Sequence, residues 1–141
     1  MKKIAVLLMA LTMLLLPVTL CFTSCSGGID TDKAKEHIIS FLTEIKEGDF
    51  TEAKTYLHPN FDGDIEKFFN SAEKSFNVDF QNGITILRNT NTQISYYDSK
   101  FDGSAYELTM DIEVSGRELE ITVNVVENDN GYGVYGIEID D

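Results

Sequence analysis

His37 and His58 are the only two histidines in this chain of 141 residues. General acid–base chemistry needs such a group within hydrogen-bond reach of a substrate, usually with a carboxylate nearby. His58 directly precedes Pro59 at the end of a helical pattern, where it could reach the mouth of a cavity. His37 sits beside the apolar stripe of another helix, and a lone helical histidine is more often solvated or hydrogen-bonded than catalytic. There is no glycine-rich phosphate loop, Ser/His/Asp grouping or His-rich metal motif. Asn60, Asp62 and Asp64 alternate like the start of a calcium loop. However, the glycine falls at Gly63, and the twelfth position, Ser71, cannot supply a bidentate carboxylate. That stretch is a turn followed by a helix cap. No cofactor is expected.

The tyrosines suggest binding rather than reaction. Tyr56, Tyr96, Tyr106 and Tyr135 all take core-facing positions in the elements derived below. An aromatic body with a polar tip suits the rim of a pocket for a small apolar ligand, and His58 would stand with them. The competing role is structural: the rings plug the wide end of the core and each hydroxyl reaches water or a carbonyl.

The stretch 104–127 positions most of these groups. Tyr106, Leu108, Met110, Ile112 and Val114 alternate with Glu107, Thr109, Asp111 and Glu113. After Ser115-Gly116 the alternation resumes with Leu119, Ile121, Val123 and Val125. Period two over this length means two strands, each with one buried face. A two-residue Ser-Gly turn sets the register, pairing Ile112 with Leu119, Met110 with Ile121, Leu108 with Val123 and Tyr106 with Val125. A slip of one residue would lose every match. The loop Asp129-Asn130-Gly131 suits a three-residue hairpin turn, which sets Val125 opposite Tyr135, Val123 opposite Ile137 and Ile121 opposite Ile139.

The same two turns pair acids on the outward face. Glu113 falls opposite Glu118, Asp111 opposite Glu120, and Glu120 opposite Asp140. Like charges directly opposite one another weaken a sheet. The plain reading is a solvated face that keeps sheets apart, so the chain is expected to be a monomer. The sharper one is that Ca2+ or a Lys/Arg-rich protein partner relieves the repulsion.

Ahead of the hairpin lie helical patterns. Residues 29–47 carry Ala34, Ile38, Phe41, Leu42 and Ile45 on one face, with Asp30 or Thr31 to cap and Gly48 to stop. Asp49 caps a short second helix that ends at His58-Pro59. Residues 65–76 carry Ile65, Phe68, Phe69, Ala72 and Phe76 as a single stripe. Strands are then expected around Ile84 and Ile86, around Ile94 and Tyr96, in the hairpin, and over 131–139. The fold class is α+β, with three N-terminal helices on one face of an antiparallel sheet of about five strands.

Residues 1–20 combine Lys2 and Lys3 with an apolar run from Ile4 to Leu20, the pattern of an export signal. A retained transmembrane anchor is the rival, and Pro17 with the small residues that follow favours processing. The junction Leu20-Cys21-Phe22-Thr23-Ser24-Cys25-Ser26-Gly27-Gly28 resembles a bacterial lipoprotein lipobox. In that motif a small residue precedes a cysteine that is acylated and becomes the new N-terminus. Cys25, preceded by Ser24, matches it better than Cys21, preceded by bulky Leu20; Phe22 departs from the usual leucine. The resemblance implies a signal over 1–24, a lipidated Cys25 with a tether over 25–29, and one domain over 30–141. It also implies an extracytoplasmic, lipid-anchored place in the cell envelope, since two acyl chains hold stably. An ordinary signal with incidental cysteines is the alternative. Both cysteines fall in this segment, so the domain has no disulfide, Cys-bound metal or thiol nucleophile.

The whole chain carries a net charge of −13, from 11 basic and 24 acidic residues. Losing Lys2 and Lys3 with the signal leaves nine basic residues against 24, a net −15. Nucleic acid is excluded as a natural partner, because binding it relies on basic side chains.

Three features together resemble the nuclear-transport-factor-2-like superfamily, the cystatin-like α+β cone. They are the helix–Gly-Asp-Phe–helix unit FLTEIKEGDFTEAKTYL, the order of helices first and long strands last, and the ending NDNGYGVYGIEI. Short bacterial lipoproteins, some described as lumazine-binding-like, are similar over nearly the whole mature chain. The resemblance implies a curved sheet wrapping the helices, often with a pocket at the open end. The superfamily's enzymes, such as ketosteroid isomerases and scytalone dehydratases, place acids or histidines inside the cone. Here the inward positions are Tyr, Leu, Met, Ile and Val. Two functions follow: a non-enzymatic binding or accessory module for a small apolar ligand or protein, or a small enzyme using His58 and a nearby carboxylate. The fold alone does not choose between them.

Overall fold

Each helix begins where an aspartate precedes an apolar stripe. The computed structural model describes residues 28–141, with the side chains of 89–93 left out of the description. The signal, Cys25 and most of the tether lie outside the described residues. In α1 (Thr31–Glu47) the Asp30 carboxylate accepts the N–H groups of Asp32 and Lys33, and left-handed Gly48 closes the helix. In α2 (Phe50–Ala53) Asp49 accepts the Glu52 N–H, and the chain continues as one 3-10 turn, Lys54–Tyr56. In α3 (Ile65–Phe76) Asp64 accepts the Lys67 N–H, and left-handed Asn77 ends the helix. A further 3-10 turn, Phe80–Asn82, leads into the sheet.

Four long strands follow: β1 (Ile84–Asp98), β2 (Gly103–Val114), β3 (Arg117–Asn128) and β4 (Gly131–Asp140). They pair antiparallel in chain order, and Leu57 adds a one-residue parallel bridge to Val134. This is the expected α+β arrangement, with the helices N-terminal to a curved, unclosed sheet. The segments around Ile84–Ile86 and Ile94–Tyr96 are the two ends of β1.

The β2–β3 hairpin has the register that its alternation dictates. Ile112 meets Leu119, Met110 meets Ile121, Leu108 meets Val123 and Tyr106 meets Val125. Ser115 and Gly116 both have positive φ, 54° and 77°, as a tight turn with this twist requires.

Two expectations about tyrosines need correcting. Val125 pairs with Val134, not with Tyr135. The extra residue assigned to the β3–β4 turn is instead absorbed by a bulge beyond Asn124, while Asn128 pairs directly with Gly131. Past the bulge, Val123–Ile137 and Ile121–Ile139 pair as expected. Tyr135 thereby leaves the core, and Val134 takes the fully buried place. Along β1, Ile86 pairs with Ile112 but Thr92 with Thr109, so six residues of β1 match three of β2. That odd shift reverses the faces. Tyr96 lies opposite Ala105 and is exposed, not in the core.

One cluster joins helices and sheet. Ile38, Phe41, Leu42, Ile45, Ile65 and Phe69 pack with the inward residues of β2 and β3. Each fully buried aliphatic or aromatic side chain contributes about 1.5–3 kcal/mol, so a core of this extent can sustain a domain without a disulfide.

Candidate functional site

The histidines and tyrosines singled out by the sequence lie towards one end of the molecule, where α1 begins and the β1–β2 and β3–β4 turns lie, and the acidic residues lie towards the other. The histidines stand in two separate groups rather than on one pocket rim.

The first group surrounds His37. Its Nε2–H donates to the Tyr56 carbonyl at 2.8 Å, and its ring meets Tyr56 and Tyr132 edge-on, each at 5.0 Å. The Lys33 ammonium lies 4.2 Å from the Tyr132 ring centre. Tyr106 is wholly buried beneath, and the hydroxyls of Tyr106 and Tyr132 have no hydrogen-bond partner among the described residues. Burial, aided by the negative charges of Glu127 and Asp30, pushes the Tyr132 phenol up to about 12. Burial and the Asp32 charge likewise raise that of Tyr106. A phenol whose folded pKa exceeds its unfolded one stabilises fully below the unfolded value, near 10. The stabilisation is lost as pH climbs through the folded value. Stability should therefore fall between about pH 10 and 12, and Tyr132→Phe should flatten that fall in chemical denaturation series. An equally steep fall in the variant would contradict the burial of this phenol. At neutral pH the same variant should be close to neutral, since the hydroxyl it removes has no partner.

The second group surrounds His58, which is almost entirely buried. The Asn60 N–H donates to Nδ1 at 3.0 Å, so a neutral ring carries its hydrogen on Nε2. That nitrogen contacts Asn128 Oδ1 at 3.1 Å, and Oδ1 also accepts the Asn130 N–H. Asn128 Nδ2 donates to the Phe101 carbonyl, and the Tyr135 ring meets His58 edge-on at 5.5 Å and Phe101 at a tilt at 4.2 Å. Both ring nitrogens are thus spent on protein groups, and neither partner is a carboxylate. In this arrangement His58 ties the α2–α3 loop to two hairpin turns, and it has no nitrogen left for a substrate.

The outward face carries the expected acidic row. Glu113 faces Glu118, Asp111 faces Glu120, and Glu120 faces Asp140. Arg88 approaches Asp111 at 3.9 Å, and Arg117 binds the Asp141 side chain at 2.8 Å. A hollow of about 350 Å³ is lined by Asp111, Glu118, Leu119, Glu120, Asp140 and Asp141. Among the described residues no three carboxylates, histidines or cysteines are arranged to hold a metal ion. The row lies at the far end from the tyrosines, six residue pairs along the hairpin from Ala105–Val126.

A third feature was not anticipated. Leu87, Ile94, Tyr96 and Tyr97, the large exposed hydrophobics among the described residues, all belong to β1. The adjacent Tyr96-Tyr97 pair is the sequence signal for it. Two bulky aromatics in succession along a strand point to opposite faces, so one of them leaves any one-sided core.

No family model, curated protein or solved structure matches the chain. The class it defines is therefore read from its own geometry: a helix-on-sheet α+β domain with one packed core cluster and an acidic outward face.

Proposed function

We propose that this chain is an exported lipoprotein of a bacterial cell envelope, anchored through Cys25, whose domain serves as a non-enzymatic binding or accessory module. One observation carries the binding reading: the inward faces of β2 and β3 are covered by one packed cluster. Tyr106, Leu108, Met110, Ile112, Ile121, Val123 and Val125 are completely buried beneath the helices. The hollow between α1 and the start of β1, lined by Ile39, Leu42, Ile84 and Ile86 among others, measures about 150 Å³. Small-molecule sites run to about 300–1,000 Å³. Two further hollows, about 350 Å³ on the acidic face and about 370 Å³ beside Lys35, Glu36, Ile39 and Ser40, reach that range, and both are open at the surface. This favours a partner met at the surface over a small apolar ligand held inside.

The anchoring reading rests on the lipobox resemblance and on geometry that agrees with it. Cys25 precedes the α1 cap Asp30 by five residues, a reach of at most about 18 Å. A lipid on Cys25 would hold the tyrosine-rich end towards the bilayer. The acidic row would stand about 20 Å farther out at strand spacing, away from anionic headgroups that repel it. The test is membrane fractionation of single-cysteine variants. Cys25→Ser should release the protein from the membrane fraction, while Cys21→Ser should leave it there. Release by Cys21→Ser alone, or retention of both, would defeat the assignment.

A further inference from the structure

The outer half of β1 is exposed in a way the rest of the sheet is not. Ile94, Ser95, Tyr96 and Tyr97 are four consecutive exposed residues, so both faces of the strand are open there. β1 also has β2 on one side and no strand on the other among the described residues. An open edge of this kind, with apolar side chains and unpaired backbone groups, is a template for an added strand.

The surroundings of the tyrosines decide what would add. Burial raises the Tyr96 phenol, and so do the nearby charges of Glu107 and Asp98. The Tyr97 hydroxyl donates to Asp102 at 2.6 Å. Aromatic rings beside carboxylates match a guanidinium, which stacks on one and forks onto the other. A bilayer surface suits tyrosine but not the neighbouring carboxylates of Asp98, Asp102 and Glu107. A second copy of the chain would bring the same carboxylates and a net charge of equal sign.

We propose that residues 94–98 of β1 are a docking edge for an extended, arginine-bearing segment of a partner protein, which adds to the sheet as a further strand. Ile94 and the two tyrosines supply apolar contact, and Glu107, Asp98 and Asp102 receive the arginines. This deepens the binding-module reading and rests on it only for the partner being a protein.

The probe is a fluorescent peptide of alternating arginine and valine, titrated into the full lipoprotein in neutral detergent. Saturable binding is expected, weakened about tenfold or more by Tyr96→Ser and by Glu107→Gln. A glutamate–valine peptide should not bind, and interrupting the arginine–valine peptide with proline should abolish binding. No binding up to about 1 mM would overturn the proposal. So would equal binding by wild type and both variants, which would reduce it to attraction by net charge. A concentration-dependent dimer lost in Tyr96→Ser would give the edge to a second copy. Protection of Tyr96 by phosphatidylglycerol vesicles in preference to the peptide would give it to the membrane. Both variants lie at exposed or half-exposed positions, and unchanged thermal midpoints would show that folding is not at issue. Peptide binding is read on purified protein and anchoring on cell fractions, so either can fail without obscuring the other.

Discussion

Ile121→Ala should destabilise the domain by about 2–5 kcal/mol. Ile121 is fully buried at the middle of β3, between Met110 on β2 and Ile139 on β4. Truncation removes apolar surface from contact and leaves a void that neighbours on two strands, held by their own ladders, cannot close. Because Ile121 lies within one continuous packed cluster, there is little slack to absorb the loss. Chemical denaturation measures it. A cost under about 0.5 kcal/mol, the range of surface changes, would show that the inward face is wrongly assigned. Leu87→Ala, at an exposed position on β1, is the matched surface control.

Gly133→Ala should be of comparable severity, about 3 kcal/mol. A Cβ there would stand 2.5 Å from the His58 nitrogen and 2.6 Å from the Leu57 carbonyl carbon. Those are backbone atoms, pinned by the Leu57–Val134 bridge and by the His58 N–H donating to the Val134 carbonyl at 2.8 Å. Relief requires the 57–58 segment to part from β4, which breaks that bond and disturbs the hydrogen bonds of the His58 ring. Gly136→Ala is the contrast. Its Cβ would meet the flexible Asn124 side chain at 3.3 Å, and a small shift accommodates it. Equal midpoints for the two variants would show that the loop does not press on β4 as described.

The difference between what was legible in the sequence and what was not follows from parity. The β2–β3 hairpin could be read to the residue, because a two-residue turn and unbroken alternation leave one register that pairs apolar with apolar. The acidic row came with it. The helix caps were legible too, since Asp30, Asp49 and Asp64 stand directly before apolar stripes. Alternation does not say where along a strand an extra residue is inserted. A three-residue turn and a two-residue turn with a bulge beyond Asn124 place Ile137 and Ile139 identically and differ only near Tyr135. The close approach of Leu57 and His58 to Gly133, a contact between residues 75 or more apart in the chain, accompanies the second solution. The irregular stretch of β1 hid Tyr96 for the same reason: an odd shift within one strand reverses its faces without leaving a mark in the residue pattern. His58 was expected at the mouth of a cavity, and the structure buries it beside Tyr135 instead. Its engagement by Asn60 and Asn128 was not legible, because Asn128 lies 70 residues away.

The proposed molecule is a lipid-anchored module that acts through its surface and holds no ligand inside. Native mass spectrometry of the intact protein, extracted from membranes in mild detergent, addresses both halves at once. The predicted species begins at Cys25, carries a thioether-linked diacylglycerol on that residue, and holds no small molecule within the folded domain. An unmodified N-terminus at any other residue, or a stoichiometric apolar molecule released only on unfolding, would contradict it.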